Sequence, residues 1–252
     1  MIKITVAIIT LNEERNIGRC ITSVKDIADE ILVVDSFSTD NTESIATSLG
    51  ARVVKNHFLG YQDQKNLAAS LATNDYILSL DADEELTAEL ASSIKLIKNS
   101  TTQHRAYTFN RLTNYCGKWI YHCGWNPDIK IRLYDRNYAK WGGGNIHEKV
   151  VYDGAAEFLN GNLLHYSYPT ISSHINQTNK FSTLSAKHLF SINKRSSIFK
   201  IYTRPILKFF RDYFIKLGIL DGRYGFIICF INALSALLKY SKLYDLQNGK
   251  EI

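Results

Sequence analysis

The sequence predicts an α/β fold, a parallel sheet with helices on both faces. Two features carry this expectation. Short apolar runs alternate with helix-period segments through the first hundred residues, the pattern of strand–helix–strand units. The runs are also nearly continuous in Ile, Val, Leu and Ala, which belongs to strands buried on both sides.

Taken in order, Ile4 to Thr10 is a β-rich run that ends in the polar segment Leu11-Asn12-Glu13-Glu14. Asn16 to Val24 carries Ile17, Cys20, Ile21 and Val24 at helical spacing. Glu30 to Asp35 is a second strand, followed by Ser36-Phe37-Ser38-Thr39-Asp40, which has helix N-cap chemistry. Asn41 to Leu49 reads as a helix stopped by Gly50. Ala51 to Lys55 is a third strand, Gln62 to Ala72 a third helix and Tyr76 to Leu80 a fourth strand. Beyond residue 100 the pattern loosens. Ala106 to Leu112 and Lys130 to Tyr134 are expected strands of a smaller mixed region, while Trp125 to Asp128 and Trp141 to Asn145 read as loops. From Ser172 onward the chain reads as helical and basic.

The 252 residues suffice for one large domain or two small ones, and 45% hydrophobic with 21% charged residues excludes a disordered or fibrous chain. Four cysteines without C-x-x-C spacing fit a reducing compartment rather than a disulfide scaffold or zinc ribbon. The N-terminus lacks the pattern of a signal peptide. The longest apolar run, Tyr224 to Leu238, contains Asn232 and falls short of the roughly 20 residues of a spanning helix. The net charge of +6 is unevenly spread: residues 1–100 hold 9 Lys+Arg against 15 Asp+Glu, residues 101–179 hold 8 against 5, and residues 180–252 hold 13 against 4. A nucleic-acid binder would not concentrate acid in its first hundred residues. A basic tail points to an anionic membrane surface instead. Within that tail Ile206, Phe209, Phe210, Tyr213 and Leu217 recur at helical spacing, with Lys208 and Arg211 opposite and Pro205 suited to the first turn. A helix packed on the domain has the same spacing, but the charge and the aromatics fit an interfacial helix on anionic lipid. The expected location is cytoplasmic, peripheral on the inner face of the cytoplasmic membrane.

Ligands of open parallel sheets bind beyond the carboxyl ends of the strands. Polar groups stand at such ends here: Asn12-Glu13-Glu14, Asp35, His57 and Asp81-Ala82-Asp83-Glu84-Glu85. One aspartate after a strand is commonly a helix cap, but caps alone do not require Asp-x-Asp. Two carboxylates at i and i+2 leaving a strand suit Mg²⁺ or Mn²⁺, which complete their shell with water and substrate phosphates. There is no P-loop motif and no G-x-G-x-x-G after the first strand. Nucleotide recognition without those loops, with a metal on the diphosphate, points to nucleotide sugars.

Val6 to Glu14, Ile31 to Thr42, Gly60 to Asn66 and Leu80 to Glu84 together resemble family 2 glycosyltransferases of the GT-A fold. Within them the chain is most similar to the lipopolysaccharide core glucosyltransferases that add a β-glucose to inner-core heptose. Trp125-Asn-Pro-Asp128, Arg132-Leu-Tyr134 and Asn145-Ile-His147-Glu148 extend the likeness. The resemblance implies a GT-A domain with a helical basic C-terminal extension. Residues 1–100 would form the nucleotide-sugar-binding half, 101–175 the acceptor-binding half and 176–252 a membrane-associating tail. It also implies an inverting, metal-dependent transfer from a UDP-hexose, most closely UDP-glucose, to a lipid-linked saccharide acceptor, the lipopolysaccharide inner core. Thr10, Asn12 and Glu13 would contact the uridine, and Asp35 would accept a hydrogen bond from the uracil. Lys65 would lie near the base or diphosphate, Asp81 near the ribose or a metal-bound water, and Asp83 would bind the metal. The chain has Asp35-Ser36 where many relatives have two adjacent aspartates.

Inversion requires a base to take the acceptor's proton. Between residues 101 and 179 the acidic candidates are Asp128, Asp135, Glu148, Asp153 and Glu157. Asp135 sits in a turn-like Asp-Arg-Asn, Asp153-Gly154 reads as a hairpin turn, and Glu157 lacks a polar cluster. Glu148 follows Gly142-Gly-Gly144 beside His147, which could orient it or bind a phosphate, and the resemblance points to the same glutamate. Asp128 and His122 are secondary candidates that structural roles explain equally well. Cys116, His122 and Cys123 lack zinc-ligand spacing, and the remaining histidines read as structural or solvated. Sugar transfer to a polyprenyl phosphate, which shares the donor half, and a non-catalytic nucleotide-sugar binding module stay as alternatives.

Overall fold

The computed structural model describes residues 2–100, 104–143 and 148–252. Two compact units are built from interleaved stretches, Met1–Arg111 with Asp128–His165, and Leu112–Pro127 with Tyr166–Ile252.

In the first unit the expected alternation is present. β1 (Ile4–Thr10), α1 (Ile17–Val24), β2 (Glu30–Asp35), α2 (Thr42–Ser48), β3 (Arg52–Lys55), α3 (Tyr61–Leu71) and β4 (Tyr76–Asp81) follow one another. β3, β2, β1 and β4 pair in that order and all run parallel. Two further elements, β5 (Glu84–Leu86) and α4 (Ala88–Asn99), were not among those expected. α4 starts where the Thr87 hydroxyl accepts a hydrogen bond from the Leu90 amide. Next come β6 (Ala106–Tyr115), β7 (Lys118–Ile120), β8 (Ile129–Asp135), β9 (Ala139–Gly142), β10 (Lys149–Tyr152) and β11 (Glu157–Tyr168). The main sheet continues from β4 through β8, β6 and β11 to β5, with β8 antiparallel to both β4 and β6 and β5 antiparallel to β11. β9 and β10 form an antiparallel pair, so Trp141, expected in a loop, is a strand residue. The Asn66 side chain explains it, accepting from the Trp141 N–H at 3.0 Å and donating to its carbonyl at 3.0 Å.

Strand residues divide alternately between two cores, as the pleat requires. Ile4, Val6 and Ile8 of β1, Val33 of β2 and Leu78 and Leu80 of β4 pack with Ile17, Ile21 and Ile94 on one face. Ala7, Ile9, Leu32, Val34 and Ile77 pack with Ala68 and Ala69 of α3 on the other. At the amino-terminal edge Glu30 ties three segments together. Its carboxylate accepts from the Thr5 hydroxyl at 2.7 Å, the Thr73 amide at 2.7 Å and Arg52 at 2.6 Å.

The second unit holds β7, paired with the end of β6, and the helical elements α5 (Ile171–Ser191), α6 (Ile198–Phe210), a π-helical turn (Arg211–Ile215), a 3₁₀ turn (Gly218–Asp221) and α7 (Gly222–Gln247). A reciprocal Thr170–Ser173 cap opens α5. α7 packs on both α5 and α6. Its core gathers Tyr115, Ile120, Cys123, Ile228 and Cys229 with Trp125, Tyr168 and Tyr224 around them. The His174 ring lies 3.2 Å from the Tyr115 hydroxyl, and burial pushes its pKa down to about 4.

The tail departs from expectation in two ways. α6 begins at Ile198, where the Ser197 hydroxyl accepts from the Lys200 amide, so Pro205 lies inside the helix and not in its first turn. The 3₁₀ turn and α7 together run 30 residues from Gly218 to Gln247, with a window of mean hydropathy 1.5 that is 33% buried. By length and composition this segment is long and apolar enough to cross a membrane. Measured from Tyr224 to Leu238 alone it is too short, because the helix extends beyond its apolar run at both ends.

Burial works to raise the Glu30 carboxyl, but its hydrogen bonds from Thr73, Thr5 and Arg52 prevail and hold it at about 2, against an ordinary 4.5. A depressed folded-state pKa contributes stability above the unfolded value, and that contribution disappears as the pH falls through the folded one. Glu30→Gln is therefore expected to lower urea stability at pH 7 by about 1.5–3 kcal/mol, the range for hydrogen bonds to charged groups. Wild type and variant should converge as the pH approaches 2.

Candidate active site

The carboxyl ends of the strands bring several expected residues together. Thr10, Asp35 and Asp81 end β1, β2 and β4, and the registers set Thr10 beside Asp35 and Ile9 beside Asp81. Asn12 takes a left-handed backbone, φ 56°, in which its side chain accepts from the Thr39 amide at 2.8 Å. Its own amide donates to the Ser38 hydroxyl at 2.8 Å. The Glu13 amide donates to the Thr42 hydroxyl at 2.8 Å, and its carboxylate accepts from Asn16 at 2.6 Å. Burial raises the Glu13 pKa. Asp35 is fully buried and accepts from both the amide and the hydroxyl of Ser38. The loops after β1 and β2 are thus laced to each other, and Asp35 shapes the second.

Beside them lies a buried charge cluster. Lys65, on α3 and 3% exposed, places Nζ 3.1 Å from Asp81 Oδ1, 3.6 Å from Glu148 Oε1 and 4.4 Å above the Trp141 ring. Arg132, on β8 and also 3% exposed, reaches Asp81 at 3.3 Å and Glu84 at 2.8 Å. Glu84 in turn accepts from the Asp81 amide at 2.9 Å, which closes the Asp81–Glu84 turn. Burial acts to raise the Asp81 pKa, but Lys65 and Arg132 outweigh it and hold the carboxyl well below its ordinary value. Burial likewise opposes the charge on Arg132, and Glu84 and Asp81 overcome it, raising its pKa. With both oxygens facing cations, Asp81 carries little spare charge. Asp83 points elsewhere, its Oδ2 lying 3.3 Å from His165 Nε2.

Three buried polar atoms here have no hydrogen-bond partner among the described residues: Thr10 Oγ1, Arg132 Nη1 and His165 Nδ1. An unpaired buried donor or acceptor costs about 1–3 kcal/mol, and such atoms gather where ligands bind. Among the described residues no three His, Cys, Asp or Glu are grouped to hold a metal ion. Asp83 and His165 together offer one carboxylate and one imidazole.

Asp128 joins the edge of the charge cluster through Arg111, which also reaches Glu84 at 3.6 Å. Arg111 at 2.8 Å and Lys130 at 2.9 Å clamp Asp128. Burial raises its pKa less than these two cations lower it. His122 belongs to the second unit, its ring 3.2 Å from Asp221. His147 lies outside the described residues. His57 stacks on Phe37 with ring centroids 4.4 Å apart. Glu84 and Arg132 stand in motifs that the sequence displays but received no role from it, and Trp141 and His165 were not singled out as site residues. His165 reaches the site through the β5–β11 register, which sets it beside Glu84, and no local motif announces that pairing.

The family model of glycosyl transferase family 2 matches residues 5–150. A Rickettsia typhi protein described as an uncharacterized glycosyltransferase is 38% identical over 98% of this chain and 88% of its own length. The lipopolysaccharide core biosynthesis glycosyltransferase LpsC of Rhizobium meliloti is 29% identical over 94% of this chain and 90% of its own. Among solved structures, glucosyl-3-phosphoglycerate synthase of Mycobacterium tuberculosis with Mn²⁺ and UDP-glucose matches 45% of this chain and 44% of its own, at 25% identity and a TM-score of 0.37.

Removing one partner of a buried pair leaves the other charge uncompensated, at about 3–5 kcal/mol. Arg132→Met is expected to lose that much in chemical denaturation. Lys55→Met, whose pair with Glu43 is exposed on both sides, should leave the midpoint almost unchanged.

Proposed function

This chain belongs to glycosyl transferase family 2, an α/β GT-A domain with a helical C-terminal extension, and from that premise we propose that it moves glucose from UDP-glucose, with inversion, to the inner core of lipopolysaccharide. The observation that carries the reading is Lys65, an ammonium buried between Asp81 and Glu148 where α3, β4 and the segment before β10 converge. The name of the Rhizobium meliloti relative supports the acceptor. The site belongs at the inner face of the cytoplasmic membrane, where a lipid-linked saccharide is within reach.

In this reading Thr10, Asn12, Glu13 and Asp35 bind the uridine at the ends of β1 and β2. Thr10 Oγ1, buried and without a partner among the described residues, is an available polar contact. Lys65 lies near the diphosphate, and Asp81 near the ribose. Asp83 is the residue to hold Mg²⁺ or Mn²⁺. His165 Nε2, 3.3 Å from its carboxylate, is a fitting second donor, because hard divalent ions take few protein ligands and keep places for phosphate and water. When bound, such an ion neutralises charge on the diphosphate.

Transfer then needs two displacements of electrons. The acceptor oxygen forms its bond to the anomeric carbon from the face opposite UDP, while the carbon–phosphate-oxygen bond breaks and its electron pair leaves with UDP. The acceptor's proton goes to Glu148. Asp128 is the poorer base, because two close cations, Arg111 at 2.8 Å and Lys130 at 2.9 Å, occupy its carboxylate, whereas Glu148 meets Lys65 at 3.6 Å.

Glu148→Gln keeps shape and removes basicity. It should bind UDP-glucose normally and lose about two to four orders of magnitude in kcat. Asp128→Asn should lose far less, and the reverse ranking would make Asp128 the base. Asp83→Ala should cut turnover about a hundredfold or more with the fold intact, and excess EDTA should do the same to the wild type. Full wild-type activity in EDTA would overturn the metal assignment. Mass spectrometry of lipopolysaccharide from cells with and without the protein tests the acceptor, since loss of one hexose and everything distal to it is the expected change.

A further inference from the structure

The second unit divides its apolar side chains between two faces, where a single apolar face was expected. Phe209 and Tyr213 turn inward, stacked on each other at 5.4 Å and packed edge-on against Phe226 at 5.7 and 5.8 Å. Phe199, Tyr202, Ile206 and Phe210 of α6 turn outward, with exposures of 75%, 69%, 57% and 54%. At 100° per residue these four fall within about 80° of arc. The outward stripe runs on past the helix. Phe210 stacks on Phe214 at 5.7 Å, and Phe226 stacks on the exposed Phe230 at 6.4 Å. Ile215, Leu217, Ile219 and Leu220 project from the turns between α6 and α7, Ile215 at 75% exposure.

Those turns are built to present side chains. Leu217 holds a left-handed backbone at φ 53°, a conformation that costs a leucine energy. The chain is locked there because a Cβ on Gly218 would come 2.6 Å from Cys229 Sγ and 2.9 Å from the Asp212 carbonyl. Asp212 is itself buried and paired with Lys208 at 2.9 Å and Arg211 at 2.7 Å.

We infer that the face formed by α6, the two turns and the start of α7 is a membrane-insertion surface, which lies in the plane of an anionic bilayer and buries its apolar stripe among the acyl chains. This rests on the proposed location at the membrane and names the side chains responsible. Charge identifies the occupant. The residues from 180 to 252, which carry the stripe, hold 13 Lys+Arg against 4 Asp+Glu, with Lys200, Lys216 and Arg223 in or beside its helices and turns. Basic residues around an apolar stripe are the pattern of an interfacial helix on anionic lipid. A second copy of the chain is a poor occupant, since a two-fold contact would set the same basic border against itself. Crossing the bilayer does not suit α7 either, because Ile228, Cys229, Ile231, Ala233 and Ala236 are buried within the unit, where α7 packs on α5 and α6.

The test is co-sedimentation of the full chain with phosphatidylcholine–phosphatidylglycerol vesicles and with pure phosphatidylcholine vesicles, alongside turnover with a lipid-free acceptor saccharide. Wild type should pellet with the anionic vesicles and be released by high salt. The triple variant Tyr202→Ser, Ile206→Ser, Phe210→Ser should bind about a hundredfold or more weakly, because each large apolar side chain contributes roughly a factor of ten. Its circular dichroism and its lipid-free turnover should stay those of the wild type. If that variant fails to fold, Ile215→Trp in the otherwise native chain replaces it. The fluorescence that this substitution adds over wild type should shift to the blue with anionic vesicles and be quenched by brominated lipid. Wild type left in the supernatant, equal binding to neutral vesicles, added fluorescence that brominated lipid leaves unquenched, or a dimer dispersed by the triple variant would each overturn the inference. Vesicle binding without turnover would count against the proposed reaction and leave the surface standing, and turnover without vesicle binding would do the reverse.

Discussion

Two buried cations at the carboxyl edge of the sheet set the shape of everything around them. Lys65 and Arg132 are each 3% exposed, and taking such charges out of water costs several kcal/mol per ion unless partners compensate. Asp81, Glu84 and Glu148 supply that compensation from β4, β5 and the segment before β10. The Asp81–Glu84 turn is therefore held by an ionic as well as a backbone constraint, and Asp83 is left facing His165. Trp141 lies under both cations, 4.4 Å from Lys65 and 5.3 Å from Arg132, and Asn66 fixes its strand against α3. One electrostatic requirement thus joins α3, β4, β5, β8 and β9.

A second layer of order comes from the loops after β1 and β2. Asn12 with Ser38 and Thr39, Glu13 with Thr42, and Glu14 with Asp40 are hydrogen-bonded pairs across two loops far apart in sequence. Satisfying loop amides with side chains stiffens a surface that regular secondary structure cannot reach. It also explains why Asp35 is buried completely. Both of its oxygens shape the loop through Ser38, so a structural duty and a proposed ligand contact fall on one residue.

The helical unit solves a different problem. Tyr115, Trp125 and Tyr168 pack around the ring of His174, and this desolvated setting keeps the imidazole neutral through the physiological range. Ser196 Oγ is buried there without a partner among the described residues, but Asp221 and Lys242 are well paired. Asp221 accepts from the amides of Tyr121 and His122, and Lys242 donates to Asn179, Ser182 and Thr183. The same unit leaves a row of phenylalanine, isoleucine and leucine uncovered outside. This row is the surface that the membrane proposal assigns to lipid.

Local chemistry in the sequence determined the parallel half of the sheet. Apolar runs of the right length between helix-period segments admit few arrangements, and β1 to β4 with α1 to α3 form where those signals stand. The strand-end position of Asp35 and Asp81 was legible for the same reason, because a strand's end is a local property. Long-range pairing decided the rest. Arg132 enters the site only because β8 lies antiparallel to β4, and His165 only because β11 pairs with β5. Neither register leaves a local motif, since antiparallel strands are matched by partners rather than by spacing. Helical periodicity likewise placed apolar residues on one side of the tail, but it could not say which would be packed and which left bare. Phe209 and Tyr213 face Phe226 while Ile206 and Phe210 face outward, and only the docking of α6 on α7 separates them.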